Sequence, residues 1–171
     1  MAYTVTHFLT SAFLAVLLKA KFSEIKKYIN VKELFIIGLF GALPDIDVVP
    51  FILDSYFNLG LPNIHRLITH NLVISLIIFF IGFLLYTKYK KLGIIFMLGG
   101  VGWTSHLVLD WIFSGTITPF YPFSTYETGL NLIPEGNLRL GTYVLGAIDA
   151  AVFLTWSWFA IAKKKLIDFQ V

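Results

Sequence analysis

The chain has 171 residues, of which 57% are hydrophobic and 13% charged, with a mean hydropathy of +0.80 and a formal charge of +3. That composition excludes an ordinary soluble globule and predicts an all-α polytopic membrane protein forming a single integral domain over 1–171. Cysteine is absent, which excludes disulfides, zinc-thiolate sites and cysteine nucleophiles and leaves metal binding to His, Asp, Glu or backbone oxygen.

Apolar runs lie at about 3–18, 33–53, 70–87, 92–113 and 140–162, and predict five transmembrane helices. A helix needs roughly 20 residues to cross about 30 Å of hydrocarbon. The first run is short, and its lysines follow it instead of preceding it, so it reads as a retained span and not a cleaved signal. It carries His7, with Thr10 and Ser11 on the same helix. Alone, His7 is an ordinary interface residue; as a ligand it depends on what converges with it.

The second run is interrupted by Pro44-Asp45-Ile46-Asp47. Proline removes a helix hydrogen bond, and two nearby carboxylates in low dielectric repel unless a cation or proton neutralises them. The alternative is a solvated loop end, although the flanking residues are unusually apolar for one. Before the third run come His65, Arg66 and His70. His65 and His70 are five apart, so either the helix begins between them or they serve different ions. Arg66 and His70 can share a face, and an arginine there suits a phosphate or carboxylate substrate; its alternative is an interfacial snorkelling arginine.

The fourth run ends with His106 and Asp110, four apart and therefore on one helix face. They can bind one ion or two neighbouring ions, or form a His–Asp hydrogen bond between packed helices. Deep in the fifth run, Asp149 is either a further ligand or an acceptor that orients a ligating imidazole. Trp156-Ser157-Trp158 reads as an interfacial aromatic belt.

The lysines fix an orientation. They occupy three places only: Lys19 to Lys32, Lys88 to Lys91, and Lys163 to Lys165. Five crossings put all three on one side, which the positive-inside rule makes cytoplasmic, with the N-terminus outside. Every histidine and each Asp cluster then falls at the outer ends of the helices. From Lys32 to Asp47 is about 22 Å of helix, short of a full crossing, so the site is expected in a recess below the outer surface. The basic residues face away from it, which leaves no role for nucleic acid. Seven candidate ligands, His7, Asp45, Asp47, His65, His70, His106 and Asp110, exceed what one four-coordinate ion needs. Two or more ions sharing a carboxylate use them better, and such a site suits phosphoester hydrolysis.

In this order, the N-terminal His7, Leu43-Pro44-Asp45-Ile46-Asp47, His65-Arg66-x-x-Thr69-His70 and Ser105-His106-x-x-x-Asp110 resemble the YdjM-like family of membrane-bound, metal-dependent hydrolases. The resemblance runs from His7 to about Ser124, including Tyr121-Pro122-Phe123, and helix five adds little. Through that family the motifs distantly resemble zinc-dependent phospholipase C and related zinc nucleases. This implies the same seven ligands, with His106-x-x-x-Asp110 resembling the motif that supplies a bridging carboxylate. Where the family carries Gly and Ser, this chain has Leu67 and Asn71, and neither change removes a ligand.

The expectation is a zinc-type hydrolase in the cell membrane, acting from the outer face on a phosphoester in a lipid or lipid-linked substrate. Asp45 or Asp47, whichever is less engaged, serves as base, and Arg66 holds the anionic group. The rivals are a metal-ion or proton transporter, which needs polar groups through both membrane halves, and a non-catalytic partner protein whose polar cluster only fixes packing.

Overall fold

A computed structural model describes residues 4–60, 66, 68–113, 115–133 and 138–162. They form seven α-helices: α1 (Thr4–Lys21), α2 (Ser23–Tyr28), α3 (Val31–Ala42), α4 (Val48–Phe57), α5 (Leu72–Tyr86), α6 (Lys90–Phe113) and α7 (Leu138–Ala162). A 3-10 turn, Leu43–Asp47, joins α3 to α4. Among the described residues there is no strand, only an antiparallel bridge between Ile117 and Thr128.

The expected apolar runs are all helical, with two differences of consequence. The second run is not one helix: with Pro44 at its start, the chain tightens into the 3-10 turn, and α4 resumes from Val48. The third begins later than the apolar pattern suggests, because the Asn71 side chain accepts from the Ile74 amide and caps α5. His70 therefore sits in the preceding turn. The lysine-bearing α2, too short to be seen in hydropathy, is followed by a capping box in which Asn30 and Glu33 satisfy each other's amides at the start of α3.

Among the described residues, three helical stretches are long and apolar enough to cross a membrane: Val31–Phe57, Lys90–Phe113 and Gly141–Ala160. α5 is apolar but shorter. α1, α3 and α6 pack against one another around Ala15, Val16, Ile37, Ile94 and Leu98. α5 lies along α6, and α7 rests on α1, where Phe13 meets Trp156 and Phe159 edge to face.

One close approach shapes the site. A Cβ on Gly41 would collide with the Ser11 side chain and stand 2.8 Å from the His7 carbonyl oxygen, so only glycine lets α3 approach α1 here. At the opposite end of α3 and α6, Lys91 and Glu33 form an ion pair of 2.6 Å.

Candidate metal centre

Three elements converge above that glycine. α6 places His106 and Asp110 one turn apart, both fully buried. The 3-10 turn, with about three residues per turn, sends Asp45 and Asp47 to different sides. The turn before α5 supplies His70, also fully buried. It is held by the Thr69 hydroxyl on the Pro44 carbonyl (2.7 Å) and by the Trp103 indole N–H on the Thr69 carbonyl (3.0 Å).

Four donor atoms face one another: Asp45 Oδ1, His70 Nε2, His106 Nε2 and Asp110 Oδ2. The His–His separation is 3.1 Å, His70 stands 3.6 Å from Asp45 and 3.4 Å from Asp110, and His106 stands 3.6 and 3.7 Å from the same two. An ion with metal–ligand bonds of about 2.0–2.1 Å in tetrahedral geometry separates its ligands by roughly 3.3 Å. The five separations that involve an imidazole are close to that spacing, and the two carboxylate oxygens lie within 4.8 Å of each other.

The hydrogen bonds behind the ring nitrogens decide where the lone pairs point. His106 Nδ1 lies 2.8 Å from the Gly41 carbonyl, which only accepts, so Nδ1 carries the proton. His70 Nδ1 lies 3.3 Å from Asp47 Oδ2 and 3.0 Å from the Thr69 hydroxyl. That hydroxyl has acceptors for its single hydrogen at Asp47 Oδ2 (2.6 Å) and the Pro44 carbonyl, so His70 Nδ1 is again the donor. Both neutral imidazoles then aim Nε2 lone pairs at each other and at two carboxylate oxygens. Without a positive charge between them this arrangement is repulsive. His70 precedes α5, and in the absence of an ion a proton on its Nε2 supplies that charge. Burial lowers the pKa, but hydrogen bonds to Asp110, Asp45 and Asp47 outweigh burial and raise it to about 10, so a metal ion would bind in place of this proton.

His7 stands on the other side of Asp110. Its Nε2 lies 3.4 Å from Asp110 Oδ1, and its ring stacks on His106 with centroids 3.7 Å apart. Both of its nitrogens are buried without a hydrogen-bond partner, as are Asp45 Oδ1 and both oxygens of Asp110. Buried polar atoms left this way are rare, and a bound cation is one reason for them. The donor set therefore fits a divalent metal.

Of the expected ligands, the structure brings together Asp45, His70, His106 and Asp110, and sets His7 beside them. Asp47 lies behind His70, its Oδ2 accepting from the Arg66 amide (2.9 Å) and the Thr69 hydroxyl. His65, and with it Leu67, lies outside the described residues. Arg66, in the left-handed region at φ 66°, places Nε 4.0 Å from Asp110 Oδ2, while its carbonyl accepts from Thr118 (3.3 Å). Asp149 orients no imidazole through its Oδ1: that oxygen accepts from the amide and hydroxyl of Thr6 (2.8 and 2.6 Å), capping the first turn of α1 one residue before His7. Gly41, which with Gly38, Gly99, Gly100 and Gly102 is expected from sequence to leave a helix face bare for close backbone approach around the recess, does so here against α1. Thr69 and Trp103 were not singled out in the sequence; Thr69 had a signal, since it sits inside the His-Arg-x-x-Thr-His motif, whereas Trp103 acts through a distant carbonyl.

No curated protein and no solved structure matches the chain. A family profile does, and it runs further than the motifs, through α7 as well as through the helices that build the cluster. Matched over residues 1–166, the protein belongs to the YdjM inner membrane protein family.

Proposed function

We propose that this membrane protein is a metal-dependent hydrolase that cleaves a phosphoester in a lipid or lipid-linked substrate, with its centre facing outside the cytoplasm at the outer ends of five spans. The observation that supports it is the set of four converging donors, three of them on fully buried residues, with every separation that involves an imidazole at 3.1–3.7 Å and both imidazoles held in the ligating tautomer. Nitrogen and carboxylate donors in that geometry suit zinc.

Bound in the cluster, a divalent ion supplies Lewis acidity toward a phosphoryl oxygen and toward water. His70, His106 and Asp110 hold the centre. Asp45 is less engaged than Asp47: its Oδ1 is turned to the other three donors, while among the described residues its Oδ2 meets only the exposed Thr4 hydroxyl, at 3.5 Å. Asp45 Oδ2 is therefore the carboxylate oxygen that accepts a proton from the attacking water. Arg66 lies at the partly open edge and clamps the anionic group. His7 Nε2 and Asp110 Oδ1, 3.4 Å apart, repeat the ligand spacing of the first cluster and would hold a second ion through a shared carboxylate.

Transport fits less well. Beneath the cluster the helices close on Ala15, Val16, Ile37, Ile94 and Leu98, an apolar plug where a permeation path needs polar groups.

Metal analysis of protein purified without chelators should find at least one zinc per chain, with His106→Ala and Asp110→Ala both losing it. A screen of lipid phosphoesters should then give hydrolysis that chelator abolishes. Protein without stoichiometric metal, or variants that keep all of it, would overturn the proposal.

A further inference from the structure

Two elements beside the centre carry large apolar side chains that nothing among the described residues covers. α4 leaves the 3-10 turn that bears Asp45 and exposes Tyr56 (78%) and Phe57 (67%). The segment from Gly115 to Ile133 packs on the turn that bears Arg66 and His70, through Thr118 to the Arg66 carbonyl and the Leu72 amide to the Pro119 carbonyl (2.9 Å). It exposes Phe120 (51%), Phe123 (82%) and Tyr126 (62%). Asp54 and Glu127 are the only charged residues in 48–60 and 115–133, far fewer than a water-facing surface carries.

Their height says what they meet. α3 and the 3-10 turn together rise about 28 Å from Val31, close to the roughly 30 Å of a bilayer's hydrocarbon. The Glu33–Lys91 ion pair marks the other edge of that layer. α4 thus begins where hydrocarbon gives way to headgroups, and aromatic side chains favour that zone. The apolar surface is also continuous with the exposed faces of the spans below, such as Ile46, Leu39 and Phe35 of α3 and its turn.

We infer that α4 and the 115–133 segment form an apolar collar seated in the headgroup layer of the bilayer, so that the centre opens into that layer and receives its substrate laterally from the membrane. The collar stands on exposure, composition and depth alone; the statement about substrate rests on the hydrolase reading above.

The absence of cysteine makes a direct test possible, because one introduced cysteine carries one label. Phe57→Cys and Phe123→Cys, each labelled with an environment-sensitive nitrobenzoxadiazole dye in full-length protein, are reconstituted in phosphatidylglycerol/phosphatidylcholine vesicles. Both labels should emit to the blue of the dye in buffer, and lipids spin-labelled near the headgroup should quench them more than lipids spin-labelled at the chain end. Phe80→Cys, exposed on α5 about 12 Å along the helix from Leu72, should show the reverse order of quenching. Water-like emission would overturn the collar, and so would blue-shifted emission that no spin-labelled lipid quenches, which would mean cover by protein. The substrate statement has its own readout: Phe57→Asp with Phe123→Asp should slow hydrolysis of a vesicle-held phosphoester at least tenfold while sparing a soluble short-chain analogue. Equal loss on both overturns lateral delivery. Quenching as expected in a protein that hydrolyses neither keeps the collar and removes the hydrolase reading with the substrate statement.

Discussion

His70 shows how much of the proposed centre depends on atoms outside the four donors. Its Nε2 is a donor only while Nδ1 keeps its hydrogen, and Asp47 and Thr69 hold that hydrogen in place at 3.3 and 3.0 Å. Loss of such supporting bonds typically costs about 10–100-fold in metal affinity. Thr69→Val, nearly the same volume without a hydroxyl, should therefore weaken zinc binding by about that factor, whereas Thr69→Ser should restore it. Competition titration with a chromogenic chelator reads the difference, and a cobalt-substituted sample should show an altered visible spectrum in Thr69→Val alone. Unchanged affinity in Thr69→Val would mean that the hydroxyl only pins the turn to Pro44. The sequence made His70 visible as a candidate because imidazole is scarce in this chain. It could not make Asp47's place visible. Two carboxylates two residues apart are equivalent until the backbone between them is known to be a 3-10 turn, and then one faces the donors and the other the back of His70.

At the scale of elements, periodic hydropathy located every long helix, and Pro44 announced the break in the second. What it missed were the caps. Asn71 stands directly before an apolar stretch, a recognisable start signal, yet the adjacent apolar pattern drew the expected helix back over His70. Asp149 was unreadable for another reason: its partner, Thr6, is 143 residues away, and an acid inside a span suggests chemistry before it suggests capping. The two hydrogen bonds it accepts make it a cap supplied by α7 to α1. Asp149→Ala should lower stability by about 0.5–2 kcal/mol, and Asp149→Asn by less, since an amide oxygen still accepts from the Thr6 amide. Denaturant unfolding in detergent micelles gives both values. Equal losses would show that the negative charge, and not the cap, is what α7 contributes.

For the whole molecule, the orientation of the lysines predicted that clusters far apart in sequence would meet at one end, and four of the expected ligands do meet. Which four was not legible, because it depends on rotations of helix faces set by Gly41 and by the close packing of α3 on α1 and α6. The consequence is a centre whose donors come from the 3-10 turn after α3, the turn before α5, and α6. An ion held there would add to the hydrogen bonds of Thr69 to Pro44, Arg66 to Asp47 and Trp103 to Thr69 that already join these elements, in a solvent, the bilayer, that gives apolar contact little advantage. Binding to the folded state alone stabilises by about 4 kcal/mol when free metal exceeds its dissociation constant a thousandfold. Zinc should therefore raise the thermal unfolding midpoint in detergent, and chelation should lower it again reversibly. Asp110→Asn should abolish most of the response, because it weakens a donor whose two oxygens face His70 and His7. Asp54→Asn, on α4 outside the four donors, should keep it. A midpoint indifferent to zinc in the wild-type chain would mean that the buried carboxylates and imidazoles serve helix packing alone.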